Sequence, residues 1–261
     1  MRSPLRLAVL GDPIDHSRSP AIHRAAMRRL GIEGSYEARR AGPAELTAAV
    51  RELRAGTLHG MNITMPLKRE AAAAADRLTP EAEAGASVNT LRLSDGLVEG
   101  HSTDVIAARS ALSDPRFDPE APVLVLGSGG AAAAAVAGVG HRVAYLAARD
   151  PARAATLADL AGPPAAVVPF GTGVSGALVI NATPLGMKGE PLPEAIVELA
   201  SGIIDLAYGG HPTPTVVLAL ESDVPVMDGV EFLVLQAAAS FQWWTGVRPP
   251  LDAMLEAARK A

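Results

Sequence analysis

The stretch Val123-Leu124-Val125-Leu126-Gly127-Ser128-Gly129-Gly130-Ala131-Ala132 limits what this chain can fold into more than any other. Four consecutive apolar residues read as a strand buried on both faces, and such strands belong to parallel sheets covered by helices on each side. The residues that follow fit G-x-G-x-x-[G/A]. Gly127 permits a tight turn, Gly129 lets the backbone approach a pyrophosphate, and small Ala132 allows the next helix to pack closely. The start of that helix points free N–H groups at phosphates. Gly127, Ser128, Gly129, Gly130 and Ala131 are therefore the expected dinucleotide-binding loop, although glycine turns before helices also arise from packing alone.

The flanking pattern is a βαβ series. Short apolar strands are expected at 123–126, 143–147, 166–169, 178–181 and 203–206, with alanine-rich helical stretches between them. The second of these ends at Ala147-Ala148-Arg149-Asp150, where an adenosine ribose lies in such folds. Arg149 offers a fork for a 2′-phosphate, and Arg153, one turn into the next helix, adds a second charge. NADP is thus the expected cofactor. Asp150 keeps NAD open, and both arginines also read as solvated helix-end residues.

Upstream, strands and helices alternate with less regularity. A strand is expected at 7–10, a helix at 20–30 capped by Ser19, a helix at 43–55, a strand at 59–64 and a helix from 66 through 78. A hairpin over 88–93 and 97–99 turns at Asp95-Gly96, and a helix follows at 104–112. The proline- and acid-rich segment 113–122 separates the two series. The last forty residues read as helices at 229–245 and 251–260, with no strand left to pair.

Three clusters in the first series carry polar chemistry. Ser17 and Ser19 stand at a helix start, where the dipole and free N–H groups favour a small carboxylate, yet Ser19 reads equally as a plain cap. Thr64 ends a strand and Lys68 follows in the first turn of a helix. A cation beside the positive helix end has its charged form disfavoured, which suits it to proton exchange near neutrality; the plain alternative is a surface lysine. Asn89 and Asp104 bring an amide and a carboxylate to strand ends, and Asp104 also reads as a helix cap. The six histidines show no H-E-x-x-H or comparable spacing, so no metal is expected.

Composition removes other classes. A formal net charge of −5 argues against a general nucleic-acid binder, since neutralising phosphates needs an excess of Lys and Arg. The absence of cysteine excludes disulfides, thiolate catalysis and cysteine-ligated metals, and fits a reducing cytoplasm. The glycine- and alanine-rich stretch 123–140 is too small-sided for a membrane span. The N-terminal segment from Met1 has Arg6 within its apolar run and reaches Asp12 at once, so no signal peptide is expected.

Taken together, these segments resemble the shikimate dehydrogenase family over nearly the whole chain and in that family's order. Gly11-Asp12-Pro13 with His16-Ser17-Arg18-Ser19-Pro20 resembles its substrate-carboxylate segment, and Asn62-Ile63-Thr64-Met65-Pro66-Leu67-Lys68 its catalytic-lysine segment. Val88-Asn89-Thr90-Leu91 and Thr103-Asp104 are similar to its hydroxyl-binding positions. Gly127 to Ala131 match its glycine loop, Arg149 its NADP arginine, and Asn181-Ala182-Thr183-Pro184-Leu185-Gly186-Met187 its nicotinamide-side loop. Asp205 to Tyr208, Asp228-Gly229, and Gln236 with Phe241 and Trp244-Thr245-Gly246 complete the series.

The resemblance implies a two-domain α/β fold. An N-terminal α/β substrate domain, 1–103, is joined by C-terminal helices, 230–261, and a Rossmann-type NADP-binding domain with a mainly parallel sheet covers 104–229. It implies metal-free, reversible hydride transfer between NADP(H) and 3-dehydroshikimate or shikimate, with Lys68 as acid and base and Asp104 orienting the reacting hydroxyl. Ser17 and Ser19 would hold the carboxylate, and Thr64, Asn89, Tyr208 and Gln236 the other polar groups. Thr183, Met187, Leu206 and Gly229 join the glycine loop and Arg149 as cofactor contacts. The expected partner is a small molecule, with neither nucleic acid nor membrane, in a cytoplasmic monomer or homodimer. Ser102 stands where the family has asparagine, Val105 and Ala107 where it has small glycines, and Ala148 and Asp150 where it has asparagine and threonine. The loop after Tyr208 continues irregularly through Gly209-Gly210-His211. Oxidation of quinate or an amino-substituted relative with NAD, and a non-catalytic NADP-binding sensor, are the competing readings.

Overall fold

The computed structural model describes residues 4–161, 164–209 and 211–261; Met1 to Ser3 and Gly210, which figured in the N-terminal and Tyr208-loop readings, lie outside the described residues. The chain forms two compact units, Met1–Thr103 with Val234–Ala261, and Asp104–Leu233.

In the first unit the elements run β1 (Leu5–Gly11), α1 (Ser19–Leu30), β2 (Gly34–Arg40), α2 (Pro43–Arg54), β3 (Gly60–Ile63), α3 (Lys68–Ala74), β4 (Arg77–Leu78), α4 (Pro80–Ala84), β5 (Thr90–Ser94) and β6 (Leu97–His101). They make a sheet of order β2-β1-β3-β5-β6-β4. β1 is parallel to both β2 and β3, while β5 runs antiparallel to its two neighbours, β3 and β6. Ala8, Leu10, Met61, Ile63, Leu91 and Val98 bury one face of it against Leu46, Val50 and Leu53 of α2. These helix positions fall three and four apart, the spacing of one helical face.

The second unit begins within α5 (Thr103–Leu112) and continues as β7 (Val123–Leu126), α6 (Gly130–Val139), β8 (Ala144–Ala147), α7 (Pro151–Ala161), β9 (Ala165–Val167), β10 (Ala177–Asn181), α8 (Glu194–Glu198), β11 (Ala200–Asp205), α9 (Pro214–Glu221) and β12 (Val226–Met227). Its sheet is parallel throughout, in the order β12-β11-β10-β7-β8-β9. The chain therefore runs outward from β7 to one edge, returns, and runs outward from β10 to the other, which is the doubly wound arrangement. All four residues of β7 and all five of β10 are buried, as continuous apolar strands between helical layers should be. α10 (Gly229–Thr245) leads from this unit into the first, where α11 (Leu251–Lys260) packs on α1.

The structure departs from expectation at five places, one of them the short helix α4, which was not expected. β2 was not expected, because GSYEARR buries only Tyr36 and shows no alternation; it forms as an edge strand through its parallel ladder with β1. The helix expected from 66 through 78 is the shorter α3. Asp76 leaves helical geometry because its backbone N–H donates to Val98 O at 2.7 Å and its carboxylate accepts from Val98 N at 2.7 Å, recruiting Arg77–Leu78 as β4. The last forty residues do contain a strand, the two-residue β12, too short to show periodicity. Arg18, not Ser19, is the residue before α1, and Ser19 is its first helical residue with no capping bond from the side chain of Arg18.

Candidate functional site

In the first unit the chemistry collects at one end of the sheet. β1 and β3 finish there, β6 finishes beside them, and antiparallel β5 starts there, so Gly11, Thr64, Asn89 and Thr103 are brought to neighbouring positions from four parts of the sequence. Backbone bonds hold this end tightly: Thr64 N to Leu10 O at 2.9 Å, Asp12 N to Met65 O at 2.9 Å, Ile63 N to Asn89 O at 2.7 Å and Asn89 N to His101 O at 3.1 Å. The approach of the two loops requires glycine at position 11, where a Cβ would lie 2.2 Å from Thr64 Cγ2 and 2.8 Å from Met65 O.

Ser17 and Ser19 follow β1 and are half-buried at the entry to α1, with Ser19 N–H 3.4 Å from Ser17 Oγ. Exposed pairs from Arg40 to Asp15 (2.9 Å) and Asp12 (3.4 Å) brace the preceding loop; being exposed, they contribute little stability. Thr64 and Lys68 are both half-buried, and Lys68 opens α3 after the turn that Leu67 N closes onto Thr64 O at 3.0 Å. Asn89 is 6% exposed, and Thr103 anchors its side chain: its Oδ1 accepts from Thr103 N at 2.8 Å and its Nδ2 donates to Thr103 Oγ1 at 2.9 Å. Asp104, buried, comes next in the chain, in the first turn of α5 and not at its cap. Gln236 is half-buried on α10.

His101, at the end of β6, bonds Thr79 Oγ1 through Nδ1 at 2.8 Å and stacks on Trp243 at 4.8 Å. Burial holds its ionisation below the ordinary histidine range, against the opposing pull of Glu81.

In the second unit the expected glycine loop and Thr183 follow the carboxyl ends of β7 and β10, between which the winding reverses; Arg149, Leu206 and Gly229 follow β8, β11 and β12, and Arg153 lies in α7. Open α/β sheets bind their ligands where the winding reverses. Gly127 takes φ +119°, and a Cβ there would meet Ala182 O at 2.8 Å, so the turn and the close approach both demand glycine. Gly129 precedes α6 in extended conformation, and a Cβ built on it would meet nothing within 4 Å. Ser128, Gly130 and Ala131 are half-buried or exposed around it. That open, uncharged helix entrance has room and N–H donors for a phosphate. Arg149 and Arg153 are exposed beyond β8. Asp150 accepts from Ala152 N at 3.1 Å and lies 3.7 Å from Arg153 Nε, so its carboxylate is turned to the start of α7.

The loops after β10 and β11 share one buried network that the sequence did not disclose. Thr183 Oγ1 donates to Asn181 Oδ1 at 2.6 Å, and Asn181 Nδ2 donates to Asp205 Oδ1 at 2.8 Å. Asp205 also accepts from Ala207 N at 3.1 Å and from Thr213 Oγ1 at 2.5 Å. Burial raises the Asp205 ionisation above the usual carboxylate range, while these donors oppose the rise. The network fixes the bases of the loops that bear Thr183, Met187, Leu206 and Tyr208. Met187 is exposed, and Leu206 and Tyr208 are half-buried. Gly229 is required at the start of α10, because a Cβ would lie 2.5 Å from Ala207 O. Asn181 and Asp205 are polar residues ending otherwise apolar strands, which is the one local signal that could have marked them.

Comparison with known proteins gives a consistent picture. Residues 9–91 match the family described as the shikimate dehydrogenase substrate binding domain, and residues 229–259 that described as the shikimate 5'-dehydrogenase C-terminal domain. Shikimate dehydrogenase (NADP(+)) of Thermus thermophilus is 37% identical over 263 residues, covering 98% of each chain. The enzyme of that name from Anaeromyxobacter sp. is 38% identical over 265 residues, covering 96% of this chain and 94% of its own. Among solved structures, shikimate 5-dehydrogenase from Thermus thermophilus in complex with NADP(H) and shikimate superposes with a TM-score of 0.89 at 36% identity, over 98% of this chain and 99% of that one. Shikimate dehydrogenase of Mycobacterium tuberculosis gives 0.86 at 32% identity, over 99% of this chain and 100% of that one.

Proposed function

The chain belongs to the shikimate dehydrogenase family, and from that premise we propose that it is an NADP-dependent oxidoreductase that reversibly reduces 3-dehydroshikimate to shikimate. The observation that carries the reading is the sheet end of the first unit, where half-buried Ser17, Ser19 and Thr64, buried Asn89, and Lys68 at the head of α3 converge. A small ring bearing a carboxylate, several hydroxyls and a carbonyl calls for that set of donors.

Bound NADPH supplies the hydride. Gly127, Ser128, Gly129, Gly130 and Ala131 would hold its pyrophosphate, Arg149 and Arg153 its 2′-phosphate, and Thr183, Met187, Leu206 and Gly229 its nicotinamide side. The open space at Gly129 and the two exposed arginines fit that assignment. Lys68 gives a proton to the carbonyl oxygen as that carbon is reduced, and in the reverse direction it takes the hydroxyl proton back. Asp104 orients the lysine and the reacting hydroxyl. Ser17 and Ser19 hold the carboxylate, while Thr64, Asn89, Tyr208 and Gln236 bind the remaining polar groups. The cysteine-free composition and this cofactor support a cytoplasmic setting.

Absorbance of reduced nicotinamide, followed with shikimate or quinate and with NADP or NAD, tests the reading. NADP reduction with shikimate is the expected result. Quinate with NAD would transfer the assignment to that sister activity, which Asp150 beside Arg149 favours, and silence in all four combinations would favour an altered substrate or the non-catalytic sensor. Lys68→Ala should lower kcat by roughly 10²–10⁴-fold, the usual contribution of a general acid.

A further inference from the structure

We propose that Tyr36 is a positioning residue for this reaction, holding Asn89 in place through Asn62 and Thr90 by one hydrogen-bond relay. The proposal rests on the functional reading above. Tyr36 lies on the edge strand β2, is 1% exposed, and stands in none of the sequence motifs.

The relay has a fixed direction, because one member is a backbone group. Thr103 N–H can only donate, so the side-chain oxygen of Asn89 must face it, at 2.8 Å. Thr90 Oγ1, 3.0 Å from the same oxygen, must then donate to it. With its proton so used, Thr90 accepts from Asn62 Nδ2 at 3.0 Å; that nitrogen also faces Asn89 O, which accepts only, at 3.4 Å. Asn62 Oδ1 is therefore turned toward β2, where the Tyr36 hydroxyl donates to it at 2.6 Å. The single phenolic proton is now spent on Asn62. Four side chains on β2, β3, β5 and the loop before β5 thus share one pattern of donors, and turning any amide over would set two donors or two acceptors face to face.

The surroundings hold Tyr36 in that role. The His23 ring lies parallel beneath it, 4.2 Å away and 5° from coplanar, with Phe241 and Trp244 completing the aromatic cluster. Burial keeps His23 neutral, so no cation forms under the phenol, and burial keeps the phenolic proton in place well above the ordinary tyrosine range. Phenylalanine would fill the same space and keep the stack. A hydroxyl with no access to water is tolerated here because its proton is donated to Asn62.

Steady-state kinetics on the full chain test the relay with Tyr36→Phe and Thr90→Val, two changes that keep shape and alter residues not placed against substrate. Each should raise KM for shikimate about tenfold, the scale of one lost hydrogen bond, with KM for NADP unchanged and kcat within about threefold of the parent. Asn62 stands between the two residues, so a shared relay predicts that the double variant is no worse than the poorer single variant, whereas independent sites would multiply their effects. Unchanged KM for shikimate in both variants, or full multiplication, overturns the proposal while leaving the enzyme reading intact. If Tyr36→Phe does not fold, Thr90→Val alone decides, and an unchanged KM for shikimate in that variant overturns the proposal. A parent protein that does not oxidise shikimate overturns the functional reading and this proposal together, and the parent assay alone identifies that case.

Discussion

His23 is fully buried with neither ring nitrogen hydrogen-bonded, an arrangement that usually costs about 1–3 kcal/mol per unsatisfied group. Its stack on Tyr36 offsets only part of that. Desolvation lowers its pKa from 6.5 to about 3. The folded state then stays neutral while the unfolded chain takes up a proton below pH 6.5, so stability is lost as pH falls from 6.5 toward 3. At pH 5 the loss from this one residue is about 2 kcal/mol. His23→Phe keeps an aromatic ring and removes the titration. Thermal melts at pH 7 and pH 5 should show a smaller acid-side fall for the variant than for the parent, with His101 contributing equally to both; equal falls would show that His23 is not held neutral. Asp150 raises a second question at this scale. A carboxylate next to Arg149 repels a 2′-phosphate, although its contacts with Ala152 N and Arg153 turn it partly aside. Asp150→Ser, which retains a capping oxygen, should therefore increase the ratio of kcat/KM for NADP over NAD by about three- to tenfold, the effect of roughly 1 kcal/mol of relieved repulsion.

Among the elements, α10 shows how a helix is registered on a sheet. Trp244 lies where a side chain of residue 60 would be: a Cβ on Gly60 would come within 2.4 Å of its indole nitrogen. The same indole donates to Leu91 O at 3.1 Å, and Arg92 lies 4.0 Å over the Trp243 ring while donating to Trp243 O at 2.7 Å. Gly60→Ala must push the indole away and break its bond to β5. Overpacking of this kind costs about 1–3 kcal/mol, and a melting-temperature drop of roughly 2–10 °C is expected by calorimetry. An unchanged melting temperature would mean that α10 is not held at this point. Elements were unequally legible. The strands of the second unit are runs of Val, Leu and Ile that declare themselves locally, as Val123 to Leu126 does. β2 and β4 form only because a neighbouring strand accepts them, and no residue in Arg77–Leu78 indicates that Asp76 will bond Val98.

Across the whole molecule, the doubly wound topology of the second unit and the mixed sheet of the first place their expected functional residues at strand ends, which are the positions left over once each strand has buried its side chains. Thr64, Lys68, Asn89 and the loop from Gly127 could be singled out in the sequence because each stands in a short, ordered motif. The groups that tie them together could not. Tyr36 and Asn62 are 26 residues apart, Asn62 and Thr90 are 28 apart, and Trp244 lies 153 residues beyond the carbonyl it caps. The sequence by itself determined the α/β class, the parallel second sheet and the glycine turn, because apolar runs and glycine turns act within a few residues of themselves. Only the tertiary structure decided that Tyr36 bonds Asn62, that Asp205 binds two loops at their bases, and that Asn89 is held by Thr103, because partners of that kind are chosen by strand register and helix docking, which bring distant residues within about 3 Å of each other.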